Sequence, residues 1–170
     1  EQGKNLINSK NMEFVIQRQI AKIQYPSPIS ARGTENIEII PLTTIIEILK
    51  QVRDLSRSEV MIFVITIEKF TQISSAIKEI LNFREKLEKI KGNLKRREFR
   101  KETGIRKLES FYKNENFKIR EKKGKKVDKK EFIKTKLNNH RDYADSIFRY
   151  FIATGLFKLN KKSRLEISKI

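Results

Sequence analysis

Residues 151–167 read FIATGLFKLNKKSRLEI, and this stretch decides the fold. Phe151 closes an apolar stripe of Ile133, Leu137, Ala144, Ile147 and Phe148 that recurs at helical spacing. Gly155 stops that helix, since glycine takes a left-handed conformation without steric cost. Past it, Phe157 and Leu159, then Leu165 and Ile167, alternate with polar residues around Asn160-Lys161-Lys162-Ser163, the pattern of a two-stranded hairpin with a basic tip. At the other end Asp128, with Glu131 three residues on, is a helix-opening cap signal.

Upstream, Pro41 stands where a first-turn proline belongs, and Leu42, Ile45, Ile46, Leu49 and Val52 form one apolar stripe. Ser56-Arg57-Ser58-Glu59 follows as a capping box, opening the most apolar helix through Val60, Met61, Phe63, Val64 and Ile67. So short a link between two helices makes a helix-turn-helix-like pair, although ordinary bundle helices are joined in the same way. Helix, glycine stop, strand, basic turn and strand make the back half of a winged helix, and the pair around Ser56 would be its front half. Between the halves the periodicity predicts a helix from Thr71 to a stop at Gly92. Another runs from Asn93 with Phe99, Ile105, Leu108 and Phe111 apolar, its middle weakened at Gly104 by about 1 kcal/mol relative to alanine. Asn114 to Val127 reads as a basic loop, Tyr25 to Pro41 as a loop, and Met12 to Gln24 as a helix with Asn11 as N-cap. The expected architecture is mainly α, a winged-helix-like domain over residues 12–170 with extra helices and a C-terminal β-hairpin. Residues 1–11 read as a linker or the tail of a preceding domain.

The 170 residues include 39 Lys+Arg against 21 Asp+Glu, a formal net charge of +18. Ile, Leu, Val and Phe supply 53 residues, enough for a core, well above the roughly 20% below which disorder is expected. The longest apolar run, Val60 to Ile65, is far short of the roughly 18 residues of a membrane span. No membrane partner is therefore expected. The absence of cysteine excludes disulfides, thiolate zinc sites and a thiol nucleophile, and fits a reducing, cytoplasmic setting. The first residue is Glu1 rather than Met, which reads as a processed start or a domain of a longer protein. The charge is uneven: Arg84 to Lys136 holds 22 Lys+Arg and nine acids, a net of +13.

Such a region should attract a polyanion, because each cation that neutralises a phosphate releases condensed counterions. The bland alternative is a solvated helix face. On the last helix, Lys134, Asn138, Arg141, Asp142, Asp145 and Arg149 share one side. Asn and Arg match adenine and guanine edges, and Lys161, Lys162 and Arg164 could reach adjacent phosphates. Spacing leaves open a chain of ion pairs instead, Arg141 with Asp145 and Asp145 with Arg149. Phe99, Leu108 and Phe111 fit core packing better than base stacking. Catalysis finds little support: His140 is the sole histidine, at the edge of an apolar face where a structural role is expected. Glu121-Lys122-Lys123 and Asp128-Lys129-Lys130 lack a preceding apolar strand, and no glycine-rich phosphate cradle exists. No catalytic residue and no metal ligand is assigned.

Lys136-Leu137-Asn138-Asn139-His140-Arg141-Asp142-Tyr143-Ala144-Asp145, continuing through Arg149-Tyr150-Phe151 and Thr154-Gly155-Leu156-Phe157, resembles a segment of the AlwI-like restriction endonucleases. Tyr25-Pro26-Ser27, Leu55-Ser56, Phe83-Arg84-Glu85, Glu88-Lys89-Ile90-Lys91-Gly92 and Lys118-Ile119-Arg120-Glu121 agree in order, so the likeness covers roughly residues 14–167. The resemblance implies a second winged-helix-like DNA-recognition unit of a type IIS or nicking endonuclease. Its magnesium-dependent nuclease domain would lie beyond Ile170, and a second nuclease subunit is a further candidate partner. By resemblance, Arg84, Arg120, Lys136, Arg141, Asp142, Asp145 and Arg149 stand at family-like positions. Ile152 and the very basic Lys122 to Lys126 depart from the pattern, which bears on the sequence recognised. The expected function is sequence-specific binding of double-stranded DNA without catalysis or cofactor in these residues. Asn138, Arg141 and Arg149 would face base edges. Arg84, Arg120, Lys122, Lys123, Lys125, Lys126, Lys161, Lys162 and Arg164 would hold phosphates, and Lys134 and Lys136 complete the DNA-binding set. The alternative is a non-specific RNA- or DNA-binding module.

Overall fold

A computed structural model describes residues 12–22, 38–113 and 128–168. Helix α1, Met12–Ala21, lies against the core through Ile20 and is tied to the chain's far end by Gln17, whose Nε2 donates to the Thr154 carbonyl at 2.7 Å. The expected N-cap Asn11, most of the loop from Tyr25 to Pro41 and the basic loop up to Val127 lie outside the described residues.

Helix α2, Pro41–Val52, starts at its proline as expected, and Ile48 joins Ile45, Leu49 and Val52 in burial. Arg53, with φ 68°, turns the chain out of α2. The link to the next helix is not a plain turn: Asp54–Leu55 forms a strand, β1. The Ser56 box closes as its residues require, with Glu59 N donating to Ser56 Oγ at 3.2 Å and Ser56 N to Glu59 Oε2 at 2.7 Å. Helix α3 then runs Arg57–Glu59 and widens into a π-helical turn, Val60–Val64.

A 3₁₀ turn, Phe70–Gln72, leads into α4, Ile73–Lys89. Helix α4 ends before Gly92, with Ile90 already extended. Gly92, at φ 93°, instead occupies the N-cap position of α5, Asn93–Phe111. Helix α6, Lys129–Ile152, is capped by Asp128, which accepts from Glu131 N at 2.7 Å, and Gly155 follows it at φ 71°. Strands β2, Phe157–Leu159, and β3, Leu165–Ile167, pair antiparallel with Leu159 opposite Leu165. Strand β1 adds to β3 with Leu55 also opposite Leu165, giving a three-stranded antiparallel sheet ordered β1-β3-β2. The fold is thus mainly helical with this small sheet.

The core gathers Ile45, Ile48, Leu55, Val60, Ile62, Ile80, Phe148 and Leu165, so α2, α3, α4, α6 and the sheet share one interior. A second cluster, Leu108, Tyr112 and Ile133, joins α5 to α6. Gly104 in mid-α5 lies at this contact: a Cβ there would sit 2.9 Å from Leu137 Cδ1, so a side chain would have to displace that methyl group.

Candidate nucleic-acid interface

Helix α6 buries Ile133, His140, Ala144, Phe148 and Phe151, which fixes the opposite side outward. Lys134, Asn138, Arg141, Asp142 and Arg149 are all exposed there. The ion-pair ladder that spacing allowed does not form. Asp145 accepts from Arg57 Nε at 2.8 Å, a partner 88 residues away, and Arg57 also lies 4.7 Å from the centre of the Phe148 ring. Arg141 comes no nearer a carboxylate than 4.0 Å, to its exposed neighbour Asp142, while Arg149 reaches only Ser146 Oγ at 3.4 Å. Lys136 is less available, its ammonium standing 4.7 Å over the Tyr112 ring and 5.2 Å over Phe132.

The hairpin tip presents exposed Lys161 and Lys162. Asn160 holds the turn from inside: its Oδ1 accepts from Lys162 N at 2.9 Å and Arg164 N at 3.1 Å, and its Nδ2 donates to Asp54 Oδ2 at 3.0 Å. Arg164 is not turned outward beside the lysines. Its Nε donates to Asp54 Oδ1 at 2.7 Å and its Nη2 to Glu59 Oε2 at 2.6 Å. Arg84 meets the same two acids, with Nε 2.7 Å from Glu59 Oε1, Nη1 3.1 Å from the Val52 carbonyl, and Nη2 on both the Asp54 carbonyl and its carboxylate. Two arginines expected on phosphates are therefore bonded to Asp54 and Glu59, and each is only about a fifth exposed at 23% and 20%.

Glu59 is 1% exposed, a burial that would be prohibitive for a bare carboxylate. Burial pushes its pKa up, but the hydrogen bonds from Arg84, Arg164 and the Ser56 backbone outweigh that and hold it below the ordinary value. Burial likewise works against the Arg164 charge, and Glu59 and Asp54 more than restore it. This knot joins the end of α2, β1, the first turn of α3, α4 and the hairpin. Because Arg57 reaches Asp145 two residues before Glu59 reaches Arg164, the first turn of α3 is the common neighbour of the α6 face and the hairpin turn.

His140 has the expected structural role, 3.2 Å from both the Tyr112 hydroxyl and the Met61 carbonyl. Burial chiefly lowers its pKa, and the Lys136 charge adds to that against the Met61 contact. Phe99 stacks on Phe83 in the core, 5.5 Å between ring centres. Among the described residues no three His, Asp or Glu side chains come together as a metal cluster, and no helix is long and apolar enough to cross a membrane. Arg120, Lys122, Lys123, Lys125 and Lys126 lie outside the described residues. Sequence reasoning passed over Arg57, read only as a spacer in the capping box, and Tyr143 and Tyr150, 59% and 61% exposed along α6.

The family model described as AlwI restriction endonuclease matches residues 1–169. No curated protein matches the sequence.

Proposed function

Since the chain belongs to the AlwI restriction endonuclease family and so has a restriction-related function, we propose that these residues are the part of such an enzyme that recognises double-stranded DNA. The observation that carries the proposal is the pairing of Asp145 with Arg57, which leaves Asn138, Arg141 and Arg149 exposed together on a helix whose other side is locked in the core. An exposed arginine fork and an amide are the donors and acceptors that suit guanine and adenine edges in the major groove. From Asn138 to Arg149 the helix rises roughly 17 Å, about five base-pair steps, the scale of a short site.

The element order supports a winged-helix reading. Helix α2, strand β1, helix α3, a late helix α6 and the β2–β3 hairpin follow one another, and β1 pairs with the hairpin as the third strand. Helices α4 and α5 are the additions between the halves. On this reading α6 is the reading helix and Lys161 and Lys162 contact phosphate beside it. Arg84 and Arg164 leave the phosphate set and become the frame that holds the hairpin.

Magnesium-dependent cutting, implied for a type IIS or nicking enzyme of this family, is assigned to other parts of the enzyme. The described residues do not fit a magnesium site: no three His, Asp or Glu side chains come together among them, and the neighbouring carboxylates Asp54 and Glu59 are taken up by Arg84, Arg164 and Asn160.

The test is selection of bound duplexes from a random pool by the whole protein, followed by Arg141→Ala. Truncating a bidentate base contact should cost about 1–3 kcal/mol on the selected duplex and relax preference at one base pair. Equal weakening on selected and random duplexes would remove Arg141 from the reading set. A random duplex that competes as well as any selected one would favour the non-specific alternative.

A further inference from the structure

We infer that Arg57 is a base-reading residue and Asp145 its positioning residue, the pair presenting a pre-set donor fork to a guanine edge at the junction of α3 and α6. The inference rests on the DNA-recognition reading of α6. An arginine carries five N–H donors in a rigid plane. Here Nε–H is spent on Asp145 Oδ1 at 2.8 Å, and the guanidinium lies 4.7 Å from the centre of the Phe148 ring, itself fully buried. Among the described residues neither Nη has a hydrogen-bond partner, so the edge formed by Nη1 and Nη2 remains open. That edge matches the O6 and N7 acceptors of guanine.

Two further observations aim the side chain at a ligand. Arg57 and Asp145 are 47% and 45% exposed, and a pair so placed adds little to stability. The contact therefore orients more than it stabilises, and a fork already held in place loses less freedom on binding. Asp145 also lies within the α6 face that carries Asn138, Arg141 and Arg149, so the fork borders the reading surface. Glu59, the nearest acid along α3, is turned inward to Arg84 and Arg164 and does not compete for it.

The experiment uses the whole protein and a duplex selected from a random pool, with each guanine replaced in turn by 7-deazaguanine, which lacks the N7 acceptor. The wild type should lose affinity at one guanine that Arg57→Met no longer senses. Methionine keeps the aliphatic stem over Phe148 and removes every donor. Arg57→Met should weaken the selected duplex about 10- to 100-fold while changing a random duplex by only about threefold. Asp145→Ala should weaken the selected duplex at the same guanine, and adding it to Arg57→Met should cause no further loss. The inference is overturned if Arg57→Met weakens both duplexes equally, which marks a phosphate contact, if its deazaguanine profile matches the wild type, or if the two substitutions add. In those cases a preferred duplex still exists and the reading of α6 survives. A protein with no preferred duplex overturns both.

Discussion

Glu59→Gln is the sharpest test of the knot that holds the hairpin. The carboxylate is 1% exposed and accepts from Arg84 Nε at 2.7 Å, Arg84 Nη2 at 3.1 Å, Arg164 Nη2 at 2.6 Å and Ser56 N at 2.7 Å. Glutamine keeps the volume, so no cavity opens, but it removes the charge and points an NH₂ donor at guanidinium donors. Removing one partner of a buried ion pair costs roughly 3–5 kcal/mol. Asp54 still accepts from both arginines, which places the cost near the lower end, about 3 kcal/mol. With a urea slope of about 2–3 kcal/mol/M, the unfolding midpoint should fall by about 1 M or more. The pH dependence has a definite sign. The folded-state pKa of Glu59 lies below its ordinary 4.5, so its contribution is present above that value and lost as pH falls through the lower folded one. Urea titrations repeated across the acid range should therefore show a shallower loss for the variant than for the wild type. A midpoint shift below about 0.3 M, or an unchanged acid limb, would refute the claim that this carboxylate organises the knot.

Gly104→Val should destabilise by about 1–3 kcal/mol in the same denaturation assay, because even a first carbon meets Leu137 at 2.9 Å where α5 crosses α6. The His140 imidazole should titrate below 6.5 by NMR; since its folded value is the lower one, its contribution to stability holds above 6.5 and declines as pH falls through the folded value, and His140→Gln should lose that slope. Replacing Lys161 and Lys162 together by alanine should weaken selected and random duplexes alike, and reduce the slope of log affinity against log salt by about 2 if both meet phosphate.

The features legible in the sequence are those set by neighbours a few residues apart. The Ser56–Glu59 and Asp128–Glu131 caps depend on backbone donors three positions away, and the β2–β3 hairpin on alternation about a polar turn. Strand β1 escaped because two residues carry no period; its existence depends on β3, more than a hundred positions on. Residue type alone makes Gly92 a helix stop, whereas the chain leaves α4 at Ile90 and uses the glycine to enter α5. At Gly104 propensity registers a cost of about 1 kcal/mol, and only the α5–α6 contact shows that a side chain there would press on Leu137.

At the candidate site the limit is different, for a basic residue reads the same in sequence whether it faces a phosphate or a buried acid. Arg84 finds Glu59 at a separation of 25 residues and Arg164 finds it at 105, so neither pairing has a local signature. The same holds for Asp145, which helical spacing offers to Arg141 and Arg149 and the fold gives to Arg57. These reassignments separate two jobs that net charge merges. Within the knot Arg84 and Arg164 balance Asp54 and Glu59, so those four residues contribute nothing to the surplus of +18. On the proposed reading, attraction to DNA comes from cations outside it, such as the exposed Lys161 and Lys162. On the same reading discrimination comes instead from the few donors the fold leaves open and holds still, and the placement of two acids, Glu59 inward and Asp145 toward Arg57, decides which arginines those are.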